Sequence, residues 1–130
     1  LYTLMGTGCE AVNRLSSPAG DIVVGRWKDG RLGTFRGITE GPAIYGGTAY
    51  TADGAVEAGG YAGYQVLLEQ ILEFFRTGVA PVPAEETIEI FAFMRASNLS
   101  RERNGAVVTL EEAYRQGESE ALELLKSCER

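Results

Sequence analysis

DIVVGRWKDGRLGTFRGI, residues 21–38, holds two short runs of β-branched, aliphatic and aromatic residues joined through Asp29-Gly30. Asp-Gly between such runs is the strongest local signal for a β-hairpin, because the turn needs positive φ angles that these two residues tolerate. The spacing predicts antiparallel strands at 21–28 and 31–38. TAYTADGAVEA, residues 48–58, repeats the device at Asp53-Gly54 and predicts strands at 44–51 and 55–58. A fifth strand is expected at 9–15. The two hairpins share only the Asp-Gly turn, so they are not a sequence repeat.

Beyond residue 60 the apolar spacing changes from alternating to helical. Tyr64, Leu67, Leu68, Ile71, Leu72 and Phe75 follow the i, i+3, i+4 rhythm of one buried stripe, predicting a helix over 62–76 that stops at Thr77-Gly78. VAPVP then enforces an extended connector. Pro83 suits the first turn of a second helix, with Glu85 and Glu86 near the positive end of its dipole. Ile88, Ile90, Phe91, Phe93 and Met94 point nearly all round, which predicts that this helix is the most enclosed element; it ends before Asn104-Gly105. Thr109-Leu110-Glu111-Glu112 has the form of a capping box and opens a third helix, with a break expected at Gly117. Strands followed by helices give the α+β class: an open, mainly antiparallel sheet of four to six strands with three helices packed on one face. Residues 1–130 are expected to form a single domain.

Composition narrows the chemistry. The net charge is −6, and the basic residues are scattered, so the phosphate-neutralising stripe of a nucleic-acid binder is missing. No apolar run approaches a membrane span. Histidine is absent, which removes the commonest general base and metal ligand; a Ser-His or Cys-His nucleophile is excluded. Cys9 and Cys128 have no metal or redox spacing, as suits a reducing compartment, and a cytoplasmic location is expected. The leucine start fits a processed or excised piece or, equally, a sequence that was simply trimmed.

LYTLMGTGCEA, residues 1–11, matches G-x-G-x-x-G/A through Gly6, Gly8 and Ala11. A dinucleotide fingerprint needs a helix of about three turns directly after it and then a parallel strand. SSPAG at 16–20 leaves no room for that helix, and an antiparallel hairpin follows. Leu1, Leu4 and Met5 read instead as a helix turn ending at Gly6.

A two-residue turn at Asp29-Gly30 would pair Trp27 with Leu32. It would set Val23, Trp27, Leu32 and Ile38 on one sheet face, and Ile22, Val24 and Phe35 on the other. Apolar groups on both faces imply that both are covered, one by helices and the other by a partner or by curling of the sheet. Trp27, Leu32 and Phe35 are the interface residues this predicts. Tyr45, Tyr50, Tyr61 and Tyr64 gather among glycines, either as a sugar-stacking wall or as ordinary packing. Arg95, Arg101 and Arg103 are either anion ligands or solvated helix charge. The acidic pairs Glu85/Glu86 and Glu111/Glu112 lie in first helical turns, where capping accounts for them. Asn98-Leu99-Ser100 is a formal glycosylation sequon in a helical setting.

LYTLMGTGCEAV (1–12), DIVVGRWKDGRLGTFRGI (21–38), YGGTAYTADGAV (45–56) and above all FFRTGVAPVPAEETIEIFAFMRAS (74–97) resemble the C-terminal domain of the oxidoreductase family of glucose-fructose oxidoreductase, inositol dehydrogenase and MocA. The similarity covers almost the whole chain. It implies an α+β domain whose sheet makes dimers and receives the substrate, joined to an N-terminal Rossmann domain that binds NAD or NADP. It implies hydride transfer at a C–OH of a sugar, cyclitol or related alcohol, with Tyr45 and Tyr50 on the substrate side. The glutamate-lysine-proline motif and the catalytic histidine of that family have no counterpart here, so no catalytic, cofactor or metal residue carries over, and the chain alone is expected to be inert. The alternative is a freestanding α+β dimerisation or small-ligand module without catalysis. An enzyme working through this chain's own carboxylates and tyrosines is a third class.

Overall fold

The computed structural model describes residues 1–42, 45–60 and 63–128. The fold is α+β, as the order of patterns predicts, but the strands divide between two sheets and the chain between two compact units. Leu1–Glu40 and the chain from Ala84 onward form the first unit, and Gly41–Pro83 the second.

The first unit begins with one helical turn, α1 (Tyr2–Met5), followed by β1 (Cys9–Ser17), β2 (Gly20–Trp27) and β3 (Leu32–Ile38). After the second unit come α3 (Ala84–Glu102), β6 (Val108–Thr109) and α4 (Leu110–Cys128). The sheet order is β3-β2-β1-β6, antiparallel throughout. The second unit holds the hairpin of β4 (Gly47–Thr51) and β5 (Gly54–Ala58), then α2 (Gln65–Thr77). Helix α2 ends where Gly78 turns left-handed at φ 71°, at the expected stop.

Both hairpins form; the first has a register one residue away from expectation, and the second turns one residue earlier than expected. Trp27 N–H donates to the Arg31 carbonyl (2.9 Å) and Gly30 N–H to the Trp27 carbonyl (2.9 Å), so Lys28, Asp29 and Gly30 make a three-residue loop and Arg26, not Trp27, faces Leu32. Such a loop places its glycine at the left-handed third position, here φ 86°. Because strand faces alternate residue by residue, this slip moves Leu32 to the opposite face from Trp27. In the second hairpin Thr51 pairs with Gly54, so Ala52-Asp53 is the turn.

Val23, Gly25 and Trp27 therefore face α3, and the core assembles on that side. Trp27 is 1% exposed, and its ring lies across Gly25 and Gly33, which have no side chain to obstruct it. Tyr2 meets Phe93 edge-on at 5.8 Å and Trp27 at 5.9 Å. Helix α3 comes close to the sheet because its buried face is largely small: Ala92, Ala96, Ser97 and Ser100, with Phe93 and Leu99 filling the remainder. It is enclosed on one face only, since Ile88, Phe91 and Met94 are exposed.

Ser100 ties the layers together. Its Oγ accepts the Arg14 N–H at 2.9 Å and donates to the Ala106 carbonyl at 2.7 Å. Helix α4 runs unbroken through Gly117, where glycine's cost of about 1 kcal/mol is too small to stop a helix braced by Gln116–Glu120 and Arg115–Glu111 contacts. Half of the expected capping box is present. Thr109 Oγ1 accepts the Glu112 N–H at 3.1 Å, while the Glu112 carboxylate takes Arg103 at 2.7 Å instead of turning back to Thr109.

In the second unit, the apolar stripe of α2 (Leu67, Leu68, Ile71, Leu72, Phe75) is exposed rather than buried. One hairpin and one helix are too little material to enclose it. The predicted starts at Ile44 and Ala62 lie outside the described residues.

A methyl group added at Gly25 would lie 2.7 Å from the Trp27 ring and 2.9 Å from Phe93. Gly25→Ala should lower unfolding stability by about 2 kcal/mol, within the usual range for overpacking a core, as read from urea denaturation. Gly47→Ala, with open space around it, serves as the control.

Candidate functional site

The glycine turn at the start of the chain is the natural place to look for a bound anion. Gly6 (φ 66°) closes α1 and Gly8 (φ 103°) opens β1, so the segment leads from a helix end into an antiparallel strand, the reverse of a dinucleotide fingerprint. Its amides nevertheless converge on a carboxylate. Gly8 N–H donates to both oxygens of Glu89 (2.8 and 3.1 Å), and Cys9 N–H donates to Oε1 (2.9 Å). Glycine in a positive-φ turn lets successive N–H groups point the same way and form an anion-binding nest. The occupant is an acid from the first half of α3.

The turn is held from two further directions. Trp27 Nε1 donates to the Gly6 carbonyl at 3.0 Å, and Lys28 N–H donates to the Gly8 carbonyl at 3.0 Å. Burial pushes the Tyr2 phenol well above its ordinary pKa, with the nearby Glu89 charge adding to the effect. Burial likewise pushes the Cys9 thiol up to about 11. Cys9 is therefore a protonated core group, unlike the low-pKa thiolate of a nucleophile. Cys128 is the exposed thiol.

The residues expected at an interface separate. Trp27 is a correction: its indole is sealed in the core and hydrogen-bonded to Gly6, so no partner can reach it. Leu32, 66% exposed, lies on the outer face with Leu15, Ile22 and Ile38, all exposed. Phe35, 51% exposed, pairs with Val23 and so shares the helix side of the sheet. No other described element of the first unit covers the outer face.

Tyr45, Tyr50 and Tyr64 are exposed residues of the Gly41–Pro83 unit, and Tyr61 lies outside the described residues. Asn98 is no glycan acceptor in this fold, because its Oδ1 accepts from Arg14 and Ser100 is fully buried. Among the described residues no group of acids and cysteines has the arrangement of a metal site, and no helix is long and apolar enough to cross a membrane.

Sequence reasoning missed Glu89 as a functional residue; its only signal was a lone acid among apolar neighbours in IEIFAF, residues 88–93. Comparison with protein-family models, with curated proteins and with solved structures finds no match for this chain.

Removing the Glu89 carboxylate strands two partly buried amide donors. Glu89→Ala should cost about 2–4 kcal/mol of unfolding free energy and Glu89→Gln about half of that, by equilibrium denaturation, since an unsatisfied buried donor typically costs about 1–3 kcal/mol. Fluorescence titration of the wild-type chain with NADH should show no saturable binding.

Proposed function

We propose that this chain is the substrate-side and oligomerisation domain of an NAD(P)-dependent oxidoreductase acting on a sugar, cyclitol or related alcohol. The observation that carries the reading is the outer face of the four-stranded sheet. One side is packed by α3, while Leu15, Ile22, Leu32 and Ile38 stand exposed on the other. A solvated antiparallel face ordinarily alternates to polar residues; four exposed aliphatic side chains, interleaved with Arg26, Thr34 and Arg36, favour a surface that another body covers. The resemblance of residues 1–12, 21–38, 45–56 and 74–97 to the C-terminal domain of the glucose-fructose oxidoreductase family supplies the chemistry.

On this reading the NAD or NADP is held by a Rossmann domain outside these 130 residues, because hydride transfer needs donor and acceptor within about 3–3.5 Å of each other and the glycine turn already holds Glu89. The chain itself contributes no catalytic residue. Leu32 belongs to the interface between copies, and the exposed Tyr45 and Tyr50 stand on the substrate side. A cytoplasmic setting, consistent with two free cysteines, is part of the same proposal.

The second reading, a freestanding α+β dimerisation or small-ligand module, draws on one observation. The anion nest that a cofactor domain would use is completed from within the unit by Glu89.

Two measurements test the proposal. In sedimentation, the wild-type chain should be at least dimeric, and Leu32→Arg should shift it to monomer while its unfolding free energy stays within about 0.5 kcal/mol, as for other surface changes. The intact gene product should reduce NAD or NADP with a cyclitol or sugar. A gene product lacking a strand–G-x-G-x-x-G–helix segment, with no such activity, would leave the freestanding module standing.

A further inference from the structure

Arg95 and Arg101 of α3 and Arg103 just beyond its end meet different fates. Arg95 reaches Glu120 at 3.0 Å and Arg103 reaches Glu112 at 2.7 Å. Arg101 makes no ion pair with any described residue. It borders a cleft of about 290 Å³ lined by Arg14, Leu15, Ser16, Arg101, Asn104 and Gly105.

The walls of that cleft follow from the sheet. Strand β6 pairs with β1 only at Ala11 and Val12, so from Asn13 onward the outer edge of β1 faces the connection between α3 and β6. The Arg14 N–H points to that edge, where Ser100 Oγ accepts it. Edge-facing amides recur at every second residue of an antiparallel strand, so the Ser16 N–H has the same aspect. The floor is Arg14, whose side chain is 14% exposed. Its guanidinium is fixed by Asp21 (Nε–Oδ1 3.0 Å, Nη2–Oδ2 2.8 Å) and by Asn98 Oδ1 (2.9 Å). The opposite wall turns through Asn104 (φ 55°) and Gly105 (φ 85°). A Cβ at Gly105 would stand 3.3 Å from the Arg14 carbonyl, which shows how closely the wall approaches.

Charge decides what fits. Arg14 and Asp21 neutralise one another, and hydrogen bonds from Arg14 and then Ser16 hold the Asp21 carboxyl below the usual carboxylate range. Arg101 also acts on Asp21 at longer range, so Arg14, Arg101 and Asp21 together leave the cleft with one net positive charge beside a backbone donor. We propose that this cleft binds a small oxyanion, a carboxylate or a phosphate monoester, with Arg101 as its charge partner and the β1 edge at Ser16 as its hydrogen-bond donor. A guanidinium presents a planar fork of donors matched to either group, and charge-assisted bonds of this kind are roughly twice as strong as neutral ones. The site lies within the first unit and does not depend on the oxidoreductase reading.

Amide chemical shifts, followed while the full chain is titrated with inorganic phosphate or acetate at constant ionic strength, test this directly. The Ser16 and Gly105 amides should move saturably, and the tighter of the two anions identifies the ligand class. Arg101→Gln should weaken binding at least tenfold. Arg36→Gln, a charge change on β3, should leave it within twofold. Unchanged α3 resonances would show that Arg101→Gln remains folded. Shifts that do not saturate, that chloride reproduces, or that persist in Arg101→Gln would overturn the assignment.

Discussion

The bond between the Glu89 carboxylate and the amides of Gly8 and Cys9 joins two parts of the chain some 80 residues apart. Helix α1 is a single turn, too short to be stable alone, and the glycine turn behind it has no ladder of its own. Glu89 gives this segment a fixed place on α3, and the other attachments then follow. Gly6 presents its carbonyl to the Trp27 indole, Gly8 presents its carbonyl to Lys28, and β1 enters the sheet with Cys9 opposite Trp27. The register slip between Cys9 and Ala11 absorbs the angle of entry, as bulges do at sheet margins.

The same constraint governs which side of the sheet becomes core. With β1 pinned and Trp27 turned toward α3, the residues between them must be small, which Gly25 and Gly33 provide on the sheet and Ala92 and Ala96 on the helix. Ser100 then closes the far end of α3 onto β1, leaving the Arg14 edge open beyond it. One face is filled by α3, and the other carries the exposed Leu15, Ile22, Leu32 and Ile38 beside Arg26 and Arg36. That asymmetry underlies both the oligomerisation reading and the separate cleft at Arg101.

Much of this was legible in the sequence, and what was not has physical causes. Asp-Gly announced both hairpins, Gly6 the end of a helical turn, and Gly78 and Asn104-Gly105 the ends of α2 and α3. The register was not announced, because Gly30 can serve a two-residue or a three-residue loop with similar local energy, and one residue of slip carried Leu32 away from Trp27. Periodicity revealed the amphipathic stripe of α2 but says nothing about whether anything covers it. Glu89 was invisible for the opposite reason. Its role depends on a turn distant in sequence, and no local pattern marks a carboxylate that will find two amides. Likewise Arg95, Arg101 and Arg103 are alike in sequence and differ only because α4 brings Glu112 and Glu120 to two of them.

Hydrogen exchange at the Gly8 and Cys9 amides tests the central link most directly. If the Glu89 carboxylate holds them, both exchange slowly, with protection comparable to the buried turns of α3, and both become fast together in Glu89→Ala while the β2–β3 ladder stays protected. Exchange of these two amides at the rate of a solvated loop in the wild-type chain would contradict the account.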